Sequence, residues 1–232
     1  MRILITGAAR GLGWHMSREA ARRGHTVFAA VRPESDAVDL EALSKEYHDL
    51  VHILRMDVSS EEQVHTAARL LYEQFGALDG IINNAAVTMG GEDTIETLDL
   101  DLVRQTMEVN LLGAMRVVQE YLPLLYKGEQ QAIINISSEA GTIINAFPKN
   151  YPYAISKTAL NMFTERLRAH LLEKDIRVYA IHPGWMRTAM GGSEAPADPQ
   201  VVAGGVLNIL EGKTKTNSKI AFIDATGRPM PL

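Results

Sequence analysis

The chain has no cysteine, and this absence excludes disulfide bonds, thiolate nucleophiles and zinc–thiolate sites from all 232 residues. No apolar run reaches the ~20 residues that a membrane-spanning helix needs. Long basic runs are also missing, and the net charge of −5 does not indicate a nucleic-acid surface. The short segment before the first glycine-rich motif, residues 1–5, is not long enough for a signal peptide. We therefore expect a cytoplasmic protein that binds neither nucleic acid nor membranes.

Clustered metal ligands are missing as well. The seven histidines are scattered along the chain. His48 and His52 are four residues apart, but they straddle a predicted helix–strand boundary and would not share one face. We therefore predict no metal site.

Short β-branched and apolar runs alternate along the chain with longer segments of helical period. This alternation is typical of a parallel sheet covered by helices. The predicted strands are residues 3–6, 26–31, 51–56, 78–83, 132–137, 176–182 and 219–223. The predicted helices are residues 12–23, 37–47, 61–75, 100–126, 151–173 and 201–210. We predict an α/β fold in which a doubly wound parallel sheet carries helices on both faces, with residues 1–232 forming a single domain.

A glycine-rich turn follows the first predicted strand and opens the first predicted helix. Its glycines are Gly7, Gly11 and Gly13, spaced Gly-x3-Gly-x-Gly. Glycines permit a tight turn and let the backbone approach a pyrophosphate, which the N-terminus of the helix then holds. The spacing differs from the common Gly-x-Gly-x-x-Gly pattern, so a purely structural turn remains the alternative.

Tyr153 and Lys157 are four residues apart at the start of a predicted helix, so they share one helical face. A free tyrosine has a pKa of about 10, which is too high for proton exchange at neutral pH. A fixed cation beside the phenol favours the phenolate, and we expect Lys157 and the positive end of the helix to lower the pKa of Tyr153. The pair alone is weak support, because tyrosine and lysine have this spacing on many solvated helix faces.

Several motifs, taken together and in this order, resemble the classical short-chain dehydrogenase/reductase family. They are the glycine turn with Thr6, the Asn83-Asn84-Ala85 segment, Asn110, Ser138 and the Tyr153–Lys157 pair. The resemblance spans essentially the whole chain and implies one Rossmann-like domain with a seven-stranded parallel sheet and a nicotinamide cofactor. A second resemblance, in the run from Pro183 to Gly192 and in the ending from Asp224 to Pro231, is to the carbonyl-reductase-like branch that includes Sniffer and C-signal.

The resemblance assigns four catalytic roles. Tyr153 would be the general acid in reduction and the general base in oxidation. Lys157 would lower its pKa and hold the nicotinamide ribose. Ser138 would polarise the substrate carbonyl, and Asn110 would order a water that passes protons to Lys157. Ser137 is the rival for the serine role, although the family order favours Ser138.

The end of the second predicted strand decides which nicotinamide cofactor is preferred. An acidic residue there would bind the ribose hydroxyls and repel a 2′-phosphate, but this strand ends in Val31 followed by Arg32. Arg10 lies in the glycine turn, and planar guanidinium groups bind phosphate well. We therefore predict NADP(H) in preference to NAD(H). Alternatively, Arg32 is a solvated loop residue and Arg10 pairs with a surface acid.

The remaining cofactor contacts follow from the resemblance. Asp57 and Val58 would contact the adenine ring, although Asp57 is equally suited to cap a helix that starts near Ser59. Pro183 and Gly184 would fix the face of the nicotinamide, and Thr188 would bond its carboxamide or a phosphate. The full predicted set of cofactor-binding residues is Gly7, Arg10, Gly11, Leu12, Gly13, Arg32, Asp57, Val58, Asn84, Ala85, Ala86, Tyr153, Lys157, Pro183, Gly184, Met186 and Thr188.

Two residues depart from the family pattern. Ala86 stands where the family usually has glycine, and its methyl group is expected to crowd the backbone near the cofactor. Glu139 directly follows the predicted catalytic serine, and the sequence assigns it no role. Residues 145–151 and 189–196 are expected to wall the substrate pocket, the second of them as a lid.

An apolar pocket mouth would suit a ketone, an aldehyde or a quinone. We therefore predict an NADP-dependent oxidoreductase that acts on a small-molecule carbonyl or alcohol, assembled as a homodimer or homotetramer. One alternative is a non-enzymatic NADP-binding regulator or signalling protein on the same fold. Another is a sugar-nucleotide epimerase of the extended branch, which the glycine spacing and the short C-terminal region disfavour.

Overall fold

The computed structural model describes residues 1–144 and 146–232. Seven strands alternate with helices along these residues. The strands are β1 (Arg2–Thr6), β2 (Thr26–Val31), β3 (Val51–Arg55), β4 (Gly80–Asn83), β5 (Ala132–Ile136), β6 (Arg177–His182) and β7 (Phe222–Asp224). The helices are α1 (Gly11–Arg22), α2 (Val38–Glu46), α3 (Glu61–Phe75), α4 (Leu100–Met107), α5 (Ala114–Leu125), α6 (Tyr151–Leu171) and α7 (Pro199–Leu210).

All seven strands pair in parallel into one sheet of order β3-β2-β1-β4-β5-β6-β7. The chain winds outward from β1 in one direction and from β4 in the other, so the strand order reverses between β1 and β4. In open α/β sheets the crevice at the carboxyl ends of the two strands at such a reversal is the usual ligand site. The predicted doubly wound parallel sheet is confirmed.

The sheet has a separate apolar core on each face, because successive strand side chains point to opposite sides. In β1, Ile3 and Ile5 pack against α1, α2 and α7, whereas Leu4 packs against α3, α5 and α6. All three side chains are fully buried. Strands covered on both faces have no polar side to reveal their period, which is why they read as continuous apolar runs in the sequence.

The predicted single helix over residues 100–126 is interrupted. Helices α4 and α5 are joined by a π-helical segment, Glu108–Gly113, that contains Asn110. A π-helical turn inserts one extra residue into the helical ladder, and such insertions occur mostly at functional sites. The hydrophobic period alone does not reveal it, because the residues on either side keep the helical pattern.

The predicted bounds of β2 and α3 match the structure, and those of the other elements differ by one to three residues. Strand β7 begins at Phe222 rather than at residue 219, and β4 begins at Gly80 rather than at residue 78. Helix α6 ends at Leu171 and continues as a short 3₁₀ turn. Among the helices of the described chain, none combines the length and the apolar character that crossing a bilayer requires.

Candidate active site

A cleft of about 830 Å³ opens at the carboxyl ends of β5 and β6. Residues from five parts of the chain line it: the segment after β4 at Thr88, the turn after β5, the described residues around 142–150, the first three turns of α6 and the segment after β6. Predicted site residues in its lining are Ser138, Tyr153, Pro183, Gly184, Met186 and Thr188. The structure therefore brings the predicted catalytic serine and tyrosine into one cavity with the predicted nicotinamide-binding segment.

The glycine turn after β1 is held against the segment that follows β4. The side chain of Asn84 donates to the carbonyl oxygens of Thr6 and Gly7, at 2.9 and 3.1 Å. The hydroxyl of Thr6 accepts from the backbone N–H groups of Asn84 and Ala85, both at 3.0 Å. These bonds join β1 and β4 at the reversal of strand order. Thr6 has a positioning role that the sequence interpretation did not assign to it.

Two of the glycines are required by backbone geometry. Gly7 has φ = +66°, and a Cβ there would lie 2.9 Å from the Cα of Ala85. Gly11 has φ = +56° and starts α1. Gly13 has ordinary helical geometry, but a Cβ there would lie 2.2 Å from the carbonyl oxygen of Gly7. The turn therefore presents bare backbone at the N-terminus of α1, as a phosphate-binding turn needs.

Arg10 and Arg32 are both exposed around this turn. Arg10 is the N-cap residue of α1 and has extended backbone, with φ = −155°. Arg32 directly follows β2, the strand next to β1. Leu12 belongs to the core on the α1 face, where 5% of its surface is exposed, so only its backbone is available to a ligand.

Asp57 lies in a local turn after β3 and does not cap α3. Its carboxylate accepts from the backbone N–H and the hydroxyl of Ser59, at 2.8 and 2.7 Å. Ser60 is the N-cap residue of α3 and accepts from the N–H of Gln63. Val58 is buried and packs close to Gly113. The helix-cap alternative for Asp57 is therefore wrong, and its side chain instead orders the turn that leads into α3.

Ala86 does not have the strained backbone that a glycine position often has. Positive φ values in non-glycine residues of the described chain occur at Gln130, Asn150 and Asp175, and not at Ala86. An alanine is compatible with a negative φ, so the departure from the family motif does not strain this segment.

Tyr153 lies in the first turn of α6, with Ser138 beside it on the wall of the same cleft. Helix α6 begins after Asn150, whose left-handed φ of 57° turns the chain into the helix. Burial raises the pKa of Tyr153, and the neighbouring Ser138 hydroxyl lowers it in part. The lowered phenol pKa that the sequence predicts is therefore not found in this structure, because loss of solvation outweighs the other contributions.

Lys157 is buried behind Tyr153, with 2% of its surface exposed. Its ammonium lies 5.4 Å from the centre of the Tyr153 ring and donates to the carbonyl oxygen of Ile136 at 2.7 Å. Burial lowers the pKa of Lys157 from 10.5 to about 8. The lysine is therefore bonded to the end of β5 rather than to the phenol oxygen.

Asn110 joins three parts of the site from inside the π-helical segment. Its amide donates to the carbonyl oxygen of Val87 at 2.9 Å and to the hydroxyl of Ser156 at 3.0 Å. Its own oxygen accepts from the N–H of Val87 at 2.8 Å. Ser156 donates in turn to the carbonyl oxygen of Tyr153 at 2.7 Å. Asn110 therefore fixes the segment after β4 against the helix turn that carries Tyr153.

Ser137 is the rival for the role of catalytic serine, but its hydroxyl already has a hydrogen-bond partner. It is buried, and its hydroxyl donates to the side-chain oxygen of Asn161 at 2.6 Å. Ser138 is half-buried, and its hydroxyl accepts from the N–H of Ala140 at 3.1 Å, which leaves its proton available. The geometry therefore favours Ser138 as the serine that meets a substrate. No sequence signal identified Ser156 or Asn161, because their roles depend on partners in other elements.

The segment after β6, from Pro183 to Gly191, lines one side of the cleft. Gly184 has φ = +84°, and the indole of Trp185 donates to the carbonyl oxygen of Gly191 at 2.7 Å. Met186 pairs with Ala197 in a β-bridge. The methyl group of Thr188 would lie 3.6 Å from a Cβ on Gly11, so this segment approaches the glycine turn. The segment predicted to act as a lid is therefore a loop that hydrogen bonds within the segment hold in place.

Exposed apolar side chains surround the cleft. Phe147 is 78% exposed, Ile143 is 72% exposed and Met190 is 54% exposed. Asn145, part of the predicted pocket wall, lies outside the described residues. The other residues of that wall that line the cleft are Ala146, Phe147, Lys149, Asn150 and Tyr151. The rim of the cleft thus carries large apolar side chains, and the hydroxyl groups of Ser138 and Tyr153 lie inside the cleft.

Comparison with known proteins gives a family-model match described as short chain dehydrogenase over residues 1–199. An uncharacterised oxidoreductase of Schizosaccharomyces pombe is 32% identical over 204 residues, which cover 85% of this chain and 80% of the relative. NADPH-bound carbonyl reductase from chicken fatty liver superposes with a TM-score of 0.90 at 28% identity, covering 100% of this chain and 98% of the other. The carbonyl reductase Sniffer of D. melanogaster gives 0.91 and 28%, covering 100% and 99%.

Proposed function

Because the chain belongs to the short-chain dehydrogenase family of oxidoreductases, we propose that it is an NADP-dependent enzyme that transfers a hydride between nicotinamide and a carbonyl or alcohol substrate. One observation carries this proposal. Ser138 and Tyr153, whose hydroxyl groups can both bind a carbonyl oxygen, face one cleft, and the ammonium of Lys157 lies directly behind the tyrosine ring.

The glycine turn supports binding of a dinucleotide. The bare backbone at Gly7 and Gly13 has no room for a Cβ, and it lies at the N-terminus of α1, where backbone N–H groups favour an anion. The exposed guanidinium groups of Arg10 and Arg32 suit a 2′-phosphate. The NADPH bound by the chicken carbonyl reductase agrees with this preference. Asp57 and Val58 would lie at the adenine end, and Asn84, Ala85, Ala86, Pro183, Gly184, Met186 and Thr188 at the nicotinamide end.

NADPH, when bound, would supply the hydride. In reduction, Tyr153 would donate its phenolic proton to the carbonyl oxygen as negative charge develops there, and Ser138 would donate a hydrogen bond to the same oxygen. The ammonium of Lys157 would favour the resulting phenolate, which then takes a proton from solvent. Burial raises the pKa of Tyr153, so the phenol carries its proton in the resting protein. Asn110 would act by fixing the α6 turn that carries Tyr153.

We also propose that residues 1–232 form one domain and that the protein assembles as a homodimer or homotetramer. Four exposed side chains on α5, α6 and the π-helical segment support assembly, because they are large, apolar and 39–64% exposed. They are Leu112, Met115, Ile155 and Met162. A cytoplasmic location stays a prediction from the sequence.

The decisive experiment is oxidation of NADPH measured against ketones, aldehydes and quinones, with Tyr153→Phe in parallel. We expect turnover that falls by about 10²-fold or more in the variant, because the phenylalanine cannot donate a proton. Tyr47→Phe, which changes a tyrosine at the end of α2 outside the cleft, is the control and should keep full activity. Tight NADPH binding without turnover of any carbonyl would instead favour the non-enzymatic NADP-binding regulator.

The cofactor preference has its own test. Replacing Arg10 and Arg32 together with serine should raise the Kd for NADPH by about 10- to 100-fold, because each guanidinium is expected to contribute a charge-assisted bond to the 2′-phosphate. The Kd for NADH should stay within about twofold of the wild-type value. An equal loss of affinity for both cofactors would show that the arginines do not read the 2′-phosphate.

A further inference from the structure

Glu139 lies on the wall of the cleft directly after Ser138, in a short 3₁₀ turn over Glu139–Gly141. Its side chain is 65% exposed. Consecutive Cα atoms are only about 3.8 Å apart, so a substrate carbonyl held by Ser138 would lie close to Glu139. Glu139 is therefore a charged lining residue directly next in the chain to the serine that would hold the reacting carbonyl.

His182 fixes the backbone of Glu139 without neutralising its side chain. The N–H of Glu139 donates to Nδ1 of His182 at 3.1 Å, so neutral His182 carries its proton on Nε2. That nitrogen lies 4.0 Å from the carboxylate of Glu139, which is longer than a hydrogen bond. Burial lowers the pKa of His182, and the charges of Glu139 and Asp224 oppose this in part. The neutral form of His182 is thus favoured, and it supplies no full positive charge to the carboxylate.

Among the described residues that line the cleft, no lysine or arginine forms an ion pair with Glu139. Among the lining residues that the structure describes, Lys149 is the cation, and its ammonium pairs with Glu92 at 2.6 Å. Most of the other lining side chains are apolar, and two aromatic rings, Phe147 and Trp185, stand exposed at the mouth. Aromatic faces and a carboxylate together are the usual partners of an organic cation.

We propose that Glu139 is a specificity-determining residue, which favours carbonyl substrates that carry a positive charge on an atom close to the reacting carbonyl and an otherwise apolar body. This inference rests on the proposed function, since it concerns the substrate of the same site. The geometry also disfavours substrates with a carboxylate next to the carbonyl, because such a group would face a like charge at close range.

The test compares two ketones of equal shape. Phenacyltrimethylammonium carries a permanent cation, and 3,3-dimethyl-1-phenylbutan-1-one replaces its nitrogen with carbon. The ratio of their kcat/KM values is measured for the wild type and for Glu139→Gln. This substitution keeps the size of the side chain and leaves the backbone bond to His182 in place. Any intrinsic difference in reactivity between the two ketones cancels in the comparison of the two proteins.

We expect the preference for the cation to fall about fivefold in Glu139→Gln, which corresponds to ~1 kcal/mol for a partly solvated charge pair. Turnover of the neutral ketone should stay within about twofold of the wild type. Glu173→Gln removes an exposed carboxylate at the far end of α6 and is the control for net charge. An unchanged ratio in Glu139→Gln, or an equal fall in Glu173→Gln, would overturn the inference.

A binding measurement separates this inference from the proposed function. The Kd of benzyltrimethylammonium is measured by calorimetry on the NADP⁺-loaded protein, with the same two variants. If neither ketone is turned over by the wild type, the proposed function fails for these substrates and the Kd decides the inference alone. Binding about fivefold weaker in Glu139→Gln supports a cation site at Glu139, and equal binding in all three proteins refutes it.

Discussion

We expect Lys157→Met to be more stable than the wild type at neutral pH, and we expect this advantage to shrink as the pH rises. Lys157 is buried, with 2% of its surface exposed, and in the described chain its ammonium donates one hydrogen bond, to the carbonyl oxygen of Ile136. Methionine has a similar length and no charge, so Lys157→Met removes the cost of burying the cation. The variant should lose activity, but its stability is measured independently of any substrate.

The magnitude follows from the pKa of Lys157, which burial lowers from 10.5 to about 8. Between these two values the unfolded chain binds more protons than the folded protein, so wild-type stability rises with pH in that window. Each pKa unit corresponds to about 1.36 kcal/mol, so burying the charged lysine lowers the free energy of unfolding by ~3 kcal/mol at pH 7. The same relation gives a cost of only ~1 kcal/mol at pH 10. The wild type should therefore gain ~2 kcal/mol in stability relative to Lys157→Met between pH 7 and pH 10.

The assay is equilibrium unfolding in guanidinium chloride at pH 7, 8, 9 and 10, with the free energy of unfolding of the variant subtracted from that of the wild type at each pH. Subtraction removes the titration of every shared group. Lys45→Met, which changes an exposed lysine on α2, is the matched control and should follow the wild type across the range. A difference between wild type and Lys157→Met that does not change with pH would refute the argument that burial governs the charge of Lys157.

Three further substitutions test the packing and the site. Gly13→Ala should lower the free energy of unfolding by ~1–3 kcal/mol and weaken NADPH binding, because its Cβ would lie 2.2 Å from a backbone oxygen. Gly91→Ala is the control, since its Cβ would have nothing within 4 Å, and it should change neither denaturant unfolding nor cofactor titration. Asn135→Ala should lower the free energy of unfolding by about 1–3 kcal/mol in denaturant, since it leaves the buried amide of Asn83 without an acceptor and removes the donor to Thr164, whose hydroxyl still bonds to Leu160; a loss below ~0.5 kcal/mol would contradict this. Ser138→Ala should lower kcat/KM by about 10²-fold in steady-state kinetics, and Ser137→Ala should leave it nearly unchanged. Equal losses in the two serine variants would show that the wrong serine had been assigned.

The fold could be predicted from the sequence because its signals are local. The strands are short apolar runs and the helices keep the 3.6-residue period, so a window of a few residues identifies each element. Helix α3 begins and ends where the pattern placed it, at Glu61 and Phe75. The π-helical segment around Asn110 was missed, because an extra residue in a helical ladder changes the hydrogen bonds without changing the apolar pattern.

The site could be predicted only in part. Spacing on the helix fixes Tyr153 and Lys157 on one face, and the glycine turn follows from its position between strand and helix. Between Ser137 and Ser138 the structure favours Ser138, because Asn161, a residue from another element, binds the hydroxyl of Ser137. The sequence gives no sign of that contact, because strand and helix residues that touch are separated along the chain.

The sequence by itself determined the order of strands and helices along the chain, the place of the glycine turn between β1 and α1, and the candidate residues for proton exchange. Only the tertiary structure decided the charge properties of those residues. Spacing predicted that Lys157 would lower the pKa of Tyr153, but burial in the folded protein raises the pKa of Tyr153. Burial also lowers the pKa of Lys157 itself. The tertiary structure likewise brings Glu139 next to His182, which is 43 residues away along the chain. Periodicity is encoded in adjacent residues, but solvation depends on everything that packs around a group, which is set only when the whole chain has folded.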